Sequence, residues 1–438
     1  MSDLPYSIKQ QLPDASAYWV ALSGGLDSSV LLHVLASMQD SLSGPLGAVH
    51  VDHQLQACSA DWDEQCRVVC ASLGIRYQGL QVDVDTEASA GPEAAARDAR
   101  YAALRQWLPE KALLLTAHHE RDQAETLLLQ LLRGAGSRGL SAMPVISDFA
   151  AGRLLRPMLL VSHTQIREYA ETHALTWIED PSNASLTFDR NFLRHQIFPL
   201  LQQRWPSTER LMARAAGHQA ESAMIAAELA DIDLESCQIV GQEELSIMAS
   251  RRLSMLRQKN LLRHWIHKAG YLSPSAVVLA RLINEVIQGR EDAKPLVRWS
   301  TAEVRRYRDA VYLMEQANPP MLEATYDWQP DQTLQLPHGQ LTLESKPGAG
   351  LSPNILKHGV RVGFRQGGEK LLPANRQHRQ TLKALFQDAG IPPWHRQGWP
   401  LVFQGDRLIA VAGVCVVEGF QASVGESGRV LRWRPDMG

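Results

Sequence analysis

The sequence predicts an α/β fold: a parallel-sheet domain first, then a mostly helical domain, then a small α+β domain at the C-terminal end. Three observations predict it. Strand-like apolar runs alternate with helix-spaced segments through the first half, a glycine turn separates the first strand from the first long helix, and the texture changes between residues 190 and 215. Strands separated by helices imply βαβ units, hence a sheet buried on both faces and joined by right-handed crossovers.

The strands come in order as "AYWVALS" (17–23), "LGAVHVDH" (46–53), "IRYQGLQVD" (75–83) and "ALLLTAHH" (112–119), separated by helical segments such as "DSSVLLHVLASM" and "PEAAARDARYAALRQWL". A shorter run, "GRLLRPML" (152–159), and then "LTWIED" (175–180) extend the pattern. Beyond Pro206 the chain reads as helix, which places a first boundary near residue 215 and a first domain over 1–215. Residues 216–312 read as mostly helical and carry the basic run "RRLSMLRQKNLLRHWIHKAG". Prolines, glycines and alternating apolar positions over 313–438 indicate a linker leading into the α+β unit. Within it, "NRQHRQTLKALFQDAG" puts Leu382, Leu385, Phe386 and Ala389 on one helix face, with Gly390 as its C-terminal cap. Arg376, Arg379 and Lys383 then share the opposite face, close in sequence to Lys370, Arg361 and Arg365; such a stripe suits phosphate contact, though an ordinary solvated face has the same pattern.

Length and composition bound the rest. A chain of 438 residues suggests two or three domains, and 45% hydrophobic with 21% charged residues excludes disordered and fibrous classes. The start lacks an apolar signal core and no run reaches the ~20 residues of a membrane span, so a cytoplasmic protein without a membrane role is expected. The five cysteines include no CxxC pair and are expected as buried thiols. Net charge is −3, but residues 1–150 hold 10 basic and 18 acidic side chains, residues 251–310 hold 13 and 5, and residues 351–400 hold 8 and 2. That asymmetry is the footprint of a polyanion partner, or of a solvated surface.

The most informative stretch is "VALSGGLDSSVLLHVLA" (20–36). Glycines let backbone approach a ligand closely, and the following helix offers unpaired N–H groups and a positive dipole end, so strand, turn and helix together form an anion site. Ser23, Ser28 and Ser29 add hydroxyls. Asp27 repels phosphate unless a divalent cation lies between them, which Mg²⁺ bridging carboxylate and phosphate oxygens resolves. The lysine of GxxxxGK[ST] is missing, and GxGxxG does not match. The plainer reading is that Gly24 and Gly25 merely turn the chain while Ser23 or Asp27 caps the helix.

"SGGLDSS" after a first strand resembles the PP-loop ATP pyrophosphatases, a Rossmann-like group with the adenine nucleotide alpha hydrolase-like fold. That resemblance implies ATP bound at Ser23, Gly24, Gly25, Leu26, Asp27 and Ser28 and split to AMP and pyrophosphate, without specifying the substrate. Three further stretches, "AHHERDQAETLLLQLLRGAGSRGLSAM" (117–143), "RPMLLVSHTQIREYA" (156–170) and "WIEDPSNASLTFDRNFLRHQIFPLL" (177–201), resemble in order and spacing the tRNA(Ile)-lysidine synthetases, strongly over residues 17–205 and more loosely beyond. The resemblance implies a catalytic PP-loop domain followed by tRNA-binding domains. The implied reaction joins free L-lysine to the wobble cytidine of the CAU anticodon of isoleucine tRNA, with ATP and Mg²⁺. No protein partner is implied, and a homodimer is left open.

The implied chemistry needs particular groups. Free lysine has a pKa near 10.4, so only about one molecule in a thousand carries a neutral ε-amine at neutral pH. A carboxylate must hold the ammonium, and a group or desolvation must remove its proton. Asp122 and Glu125, three apart at the start of a helix after the fourth strand, are the leading carboxylates. By resemblance Asp122 belongs with Asp27 at the ATP and Mg²⁺ end; Glu125 is otherwise a helix-surface acid. His118 could contact ATP or be structural. Arg190, Asn191 and Arg194 share a helix start, and by resemblance this RNxxR segment lies beside the active site, where guanidinium forks neutralise pyrophosphate; surface ion pairing is the alternative. Arg133 and Gly136, in a loop with Gly134, Arg138 and Gly139, and Arg97, Arg100 and Tyr101 in "ARDARY" are candidates for lysine or cytidine contact, or for a plain loop and a plain helix face. Lys370, Arg376, Arg379 and Lys383 are the candidates for tRNA. Two rival readings stand beside this one. A PP-loop tRNA thiolase would need sulfur-carrying cysteines, and a non-catalytic nucleotide- or RNA-binding module would not need Ser23, Asp27, Asp122 and Arg190 intact.

Overall fold

The computed structural model describes residues 4–54, 59–84, 92–180, 185–290, 293–316, 325–357, 359–374 and 376–435. They form two compact units, Met1–Glu228 and Leu229–Gly438.

In the first unit the chain runs α1 (Leu4–Lys9), β1 (Tyr18–Ala21), α2 (Leu26–Ser37), β2 (Leu46–Asp52), α3 (Ser59–Ser72), β3 (Arg76–Gln81), α4 (Pro92–Trp107), β4 (Leu113–Leu115), α5 (Glu120–Leu132), α6 (Ser137–Leu140), β5 (Ile146–Phe149), β6 (Gly152–Leu155) and α7 (His163–Thr172). The sheet order is β3-β2-β1-β4-β6-β5. Side chains of β1 alternate between two cores: Tyr18 and Val20 face Leu31, Leu35 and Ile166, while Trp19 joins Leu104, Leu114 and Leu154. Helix α2 is apolar around most of its girth, with Val30, Leu31, Leu32, Val34 and Leu35 all buried, because it is enclosed between the sheet and α7.

The sheet's far edge departs from the sequence pattern in two ways. β5 runs antiparallel to β6, so the sheet is not purely parallel. The stretch 175–180 forms no strand, because β4 and the β5–β6 hairpin already fill that side; instead the Ile178 N–H donates to Gly24 O at 2.9 Å, tying this segment to the glycine turn.

Short helices α8 (Asp189–Phe192) and α9 (Phe198–Arg204), joined by a π-helical turn over Leu193–Ile197, lead into α10 (Thr208–Cys237). Residue 215, where the texture change suggested a boundary, falls inside this 30-residue helix.

The second unit continues with β7 (Leu245–Ser246), α11 (Ile247–Arg252), α12 (Met255–Lys268), α13 (Ala276–Arg281) and a π-helical turn Leu282–Ile287. The helical reading does not extend to residue 312. Strands β8 (Leu296–Trp299), β9 (Ala302–Tyr307) and β10 (Ala310–Glu315) form an antiparallel sheet with β7. Their two hairpins turn at Ser300 (φ 46) and Arg308 (φ 54), non-glycine residues in the left-handed region that lack the Asn-Gly signature by which such turns are read. Beyond them lie β11 (Tyr326–Trp328), β12 (Leu334–Leu336), β13 (Gly339–Pro347), α14 (Pro353–Leu356), β14 (Val360–Gly363), β15 (Lys370–Leu371), β16 (Gln380–Thr381), α15 (Leu382–Asp388), β17 (Leu401–Gln404), β18 (Arg407–Val411), β19 (Cys415–Val416) and β20 (Ser427–Pro435). They build a five-stranded and a three-stranded sheet over a core that includes Leu382, Leu385 and Phe386.

Helix α15 is shorter than its sequence pattern. Thr381 caps it, its hydroxyl accepting the Ala384 N–H at 3.2 Å, so Arg376 and Arg379 precede the helix and do not share a face with Lys383. Its end is as expected: Gly390 (φ 75) donates to Gln387 O and Ile391 to Phe386 O, the paired bonds of a Schellman cap. The hairpin β15–β16 sets Lys370 opposite Thr381, so exposed Lys370, Arg379 and Lys383 flank one edge.

A seam runs inside this unit between the β8–β10 sheet and the C-terminal strands. Arg396 donates to the Tyr307 hydroxyl at 3.1 Å, Arg308 donates to Gln387 O, and Arg305 lies 5.3 Å over the Trp394 ring, which also meets Tyr312 edge-on. Much of the basic excess of residues 251–310 is therefore internal. Arg251 and Arg306 donate to carbonyls at the end of the π-helical turn, Arg257 pairs with buried Asp233, and Arg298 and Arg305 both pair with Glu303. Cys66, Cys70 and Cys237 are buried and Cys415 is half-buried; Cys58 lies outside the described residues.

Candidate active site

At the carboxyl ends of β1, β2 and β4, where strand order reverses from β1–β2–β3 to β4, a cleft of about 630 Å³ opens. This is the side and the point at which open α/β sheets hold ligands. Ser23, Gly25, Asp27 and Ser28 line it from the first turn, His118 and Asp122 from the end of β4 and the start of α5, Arg97, Arg100 and Tyr101 from α4, and Arg190 and Asn191 from α8. Gly24, Leu26, Glu125, Arg133, Gly136 and Arg194 are not among its lining residues.

The two glycines differ. Gly24 has φ +79, and a Cβ there would lie 2.5 Å from Ile178 Cδ1; Gly25 is extended and has room for one. Gly25 is the N-cap of α2, and no side chain caps that helix, so its first N–H groups face the cleft without a side-chain acceptor among the described residues. The serines mostly hold the loop itself. Ser28 Oγ donates to Gly25 O at 3.0 Å and accepts the Ser23 N–H at 3.2 Å, and Ser23 Oγ accepts the Gly25 N–H at 3.3 Å.

Asp27 Oδ1 is buried and has no hydrogen-bond partner among the described residues. Its Oδ2 lies 3.6 Å from His119 Nε2, and Asp122 Oδ2 lies 3.6 Å from the same nitrogen. No group of three or more His, Cys, Asp or Glu side chains among the described residues is placed to hold a metal by itself. Asp27 and Asp122 with an orphaned oxygen fit a hard cation that takes its remaining ligands from phosphate and water, which is how Mg²⁺ is usually held.

The electrostatics divide the cleft. Burial pushes the His118 imidazole down to about 3, with Arg156, Arg97 and Arg100 adding to the effect against the pull of Asp122, so the ring is neutral; Thr116 Oγ1 lies 2.8 Å from its Nδ1. Burial alone would raise Asp122, but His119, His118, the His119 N–H and Arg194 reverse the sign and hold the carboxylate ionised below its ordinary value. On the far side Arg97 and Arg100 lie 5.2 and 5.6 Å over the Tyr101 ring, beside buried Arg156. Burial, with the like charges of Arg97 and Arg190, holds Arg100 below the usual arginine range despite Tyr101. Guanidinium groups crowded into a poorly hydrated cleft favour an anion among them.

Glu125 and Arg194 pair with each other beside Asp122. Glu125 is fully buried, and both of its oxygens accept from Arg194, at 2.8 and 3.0 Å. Arg194 Nη2 also lies 3.6 Å from Asp122 Oδ1, so the pair braces the base of α5 against the π-helical turn. Arg190 reaches Thr126 Oγ1 at 3.2 Å.

The structure also brings in residues that the sequence patterns passed over: His119, and His50, Asp52 and His53 at the end of β2, with Asp180 from the segment after α7. The available signal was register. β2 runs parallel to β1 with Ala21 beside Val49, so "HVDH" must emerge next to the glycine turn.

A Rossmann-like sheet with an uncapped glycine turn, an orphaned carboxylate oxygen and an arginine-rich wall defines a PP-loop nucleotide-using enzyme, and residues 3–201 match the family model of the PP-loop domain. Residues 245–312 match the TilS substrate binding domain and residues 360–433 the TilS substrate C-terminal domain. The chain belongs to the tRNA(Ile)-lysidine synthase family. It is 40% identical to a tRNA(Ile)-lysidine synthase of Coxiella burnetii over 97% of this chain and 94% of the relative. With the same-named proteins of Alkalilimnicola ehrlichii and Pseudomonas aeruginosa it shares 41% and 40% identity, over 94% and 96% of this chain and 93% and 94% of theirs.

Proposed function

We propose that this protein ligates free L-lysine to C2 of the wobble cytidine in the CAU anticodon of isoleucine tRNA, forming lysidine. The observation that carries the reading is the orphaned Asp27 Oδ1 beside the uncapped start of α2, in a chain whose near full-length relatives bear the lysidine synthase name. The cytosine O2 attacks the α-phosphorus of ATP and pyrophosphate leaves, giving an adenylated cytidine. The lysine ε-amine then attacks C2, the C2–O bond breaks, AMP departs with the oxygen, and the amine loses a proton. The product reads AUA instead of AUG and carries isoleucine identity instead of methionine.

In this reading the first turn of α2 binds the ATP phosphates through backbone N–H groups, and Asp27 and Asp122 would hold Mg²⁺, which neutralises phosphate charge when bound. Arg190, with Arg97 and Arg100, holds the anionic groups of ATP and of the activated base on the opposite wall. His118, being neutral, offers ATP a hydrogen bond without charge. Anticodon bases are single-stranded, so delivering cytidine to the cleft costs little pairing energy. The site works in the cytoplasm, in a three-part chain of catalytic domain (1–215), helical tRNA-binding domain (216–312) and C-terminal tRNA-binding domain (313–438). No helix among the described residues is long and apolar enough to cross a membrane.

Incubating the protein with CAU-bearing isoleucine tRNA transcripts, ATP, Mg²⁺ and radiolabelled lysine tests this. Label enters tRNA only when all four are present; no incorporation, or no AMP release, overturns the reading. A second expectation concerns the C-terminal edge. Arg379→Ala lowers tRNA affinity and reduces the slope of log K against log salt by about one, as loss of a single phosphate contact does. Filter binding across a salt series checks it, and unchanged affinity removes that edge from the tRNA surface.

A further inference from the structure

His119 is placed unlike an ordinary buried histidine. It is 3% exposed and stands at the N-cap of α5, where its Nδ1 accepts the Arg121 N–H at 3.2 Å while its own backbone N–H donates to Asp122 Oδ2 at 3.0 Å. With Nδ1 occupied as an acceptor, the ring proton sits on Nε2. That nitrogen is equidistant, at 3.6 Å, from Asp27 Oδ2 and Asp122 Oδ2, carboxylates contributed by two different helices. One ring thus faces one oxygen of each carboxylate, while buried Asp27 Oδ1 has no partner among the described residues and Asp122 Oδ1 lies 3.6 Å from Arg194 Nη2.

We propose that His119 is a positioning residue: its Nε2–H, set 3.6 Å from both Asp27 and Asp122, fixes how the two carboxylates are presented to a divalent cation and the ATP phosphates. The inference rests on reading this cleft as the ATP and Mg²⁺ site. Two carboxylates facing one site repel each other, and a ring N–H set between them offsets that repulsion. Groups that orient ligating side chains in this way commonly change metal affinity by about 10- to 100-fold when removed. Helix capping is the competing role, and the two ring nitrogens separate the roles. Asparagine places an amide where Nδ1 stands and can cap the helix, but cannot reach the carboxylates; glutamine places its amide near Nε2 and can bridge them, but caps poorly.

The test titrates Mn²⁺ into wild type, His119→Asn and His119→Gln, each with a non-hydrolysable ATP analogue, following bound Mn²⁺ by electron paramagnetic resonance and unfolding by thermal melts. His119→Asn is expected to keep the wild-type melting temperature while binding Mn²⁺ about tenfold or more weakly. His119→Gln is expected to melt lower yet to recover Mn²⁺ affinity to within about threefold of wild type, as a restored second-shell donor should. Wild-type Mn²⁺ affinity in His119→Asn, or an equal loss in both variants, overturns the positioning role. If wild type itself binds no Mn²⁺ with the analogue, the ATP and Mg²⁺ reading fails, and this inference falls with it.

Discussion

Asp27→Ala abolishes AMP and pyrophosphate formation while the protein still folds. The side chain sits at the start of α2 with one oxygen facing His119 and the other unpartnered among the described residues, so its removal deletes no strong internal bond. On the proposed ATP and Mg²⁺ reading, it deletes the negative group that lets a cation approach the phosphates, and such charge stabilisation is worth several kcal/mol in the transition state. A fall of about 10³-fold in AMP release, equivalent to about 4 kcal/mol, is expected. Chromatographic assay of AMP, with a melting curve as the control for folding, checks it; activity within tenfold of wild type would remove Asp27 from the reaction.

Arg194→Ala acts through stability. Glu125 has no exposed surface, and Arg194 satisfies both of its oxygens, so the variant strands a buried carboxylate. Losing one member of such a pair costs about 3 kcal/mol, or roughly 6 to 12 °C in the melting temperature of a unit this size. Burial already raises Glu125 above the ordinary carboxylate range against the pull of Arg194, and without that pull it rises further. The folded variant then binds a proton more readily than the unfolded chain, so its deficit against wild type narrows as pH falls from about 8 to about 5. Replacing both partners, Arg194→Met with Glu125→Leu, recovers most of the loss because no buried charge is left behind. Melts of wild type and the two variants at two pH values check the sign. A deficit that grows in acid would mean the carboxylate is solvated by another route.

The parallel sheet was legible because the period of its apolar residues and the helices between them leave few alternatives. The hairpins β8–β9 and β9–β10 were not, since Ser300 and Arg308 adopt left-handed backbone that only tertiary packing enforces. In the site, strand-end residues such as Ser23, Asp27, His118 and Asp122 could be grouped in advance, because parallel strands carry their ends to one edge. Direction could not be read. Adjacent His118 and His119 look alike in sequence, yet one lines the cleft and the other turns inward between two carboxylates. Glu125 could be read as a leading carboxylate or as a helix-surface acid, and only the fold shows it buried and paired with Arg194. Charge counts misled for a related reason: a tally of Arg251, Arg257, Arg305 and Arg306 does not distinguish a cation facing solvent from one answering a buried carbonyl or carboxylate.

The seam of Arg396, Tyr307, Arg305 and Trp394 makes the second unit a fastened pair of sheets. Side chains tie the β8–β10 sheet to the C-terminal strands there, with Arg308 donating to Gln387 O beside them. A side chain lost from the seam is therefore expected to be felt in both sheets and not only in the one that carries it.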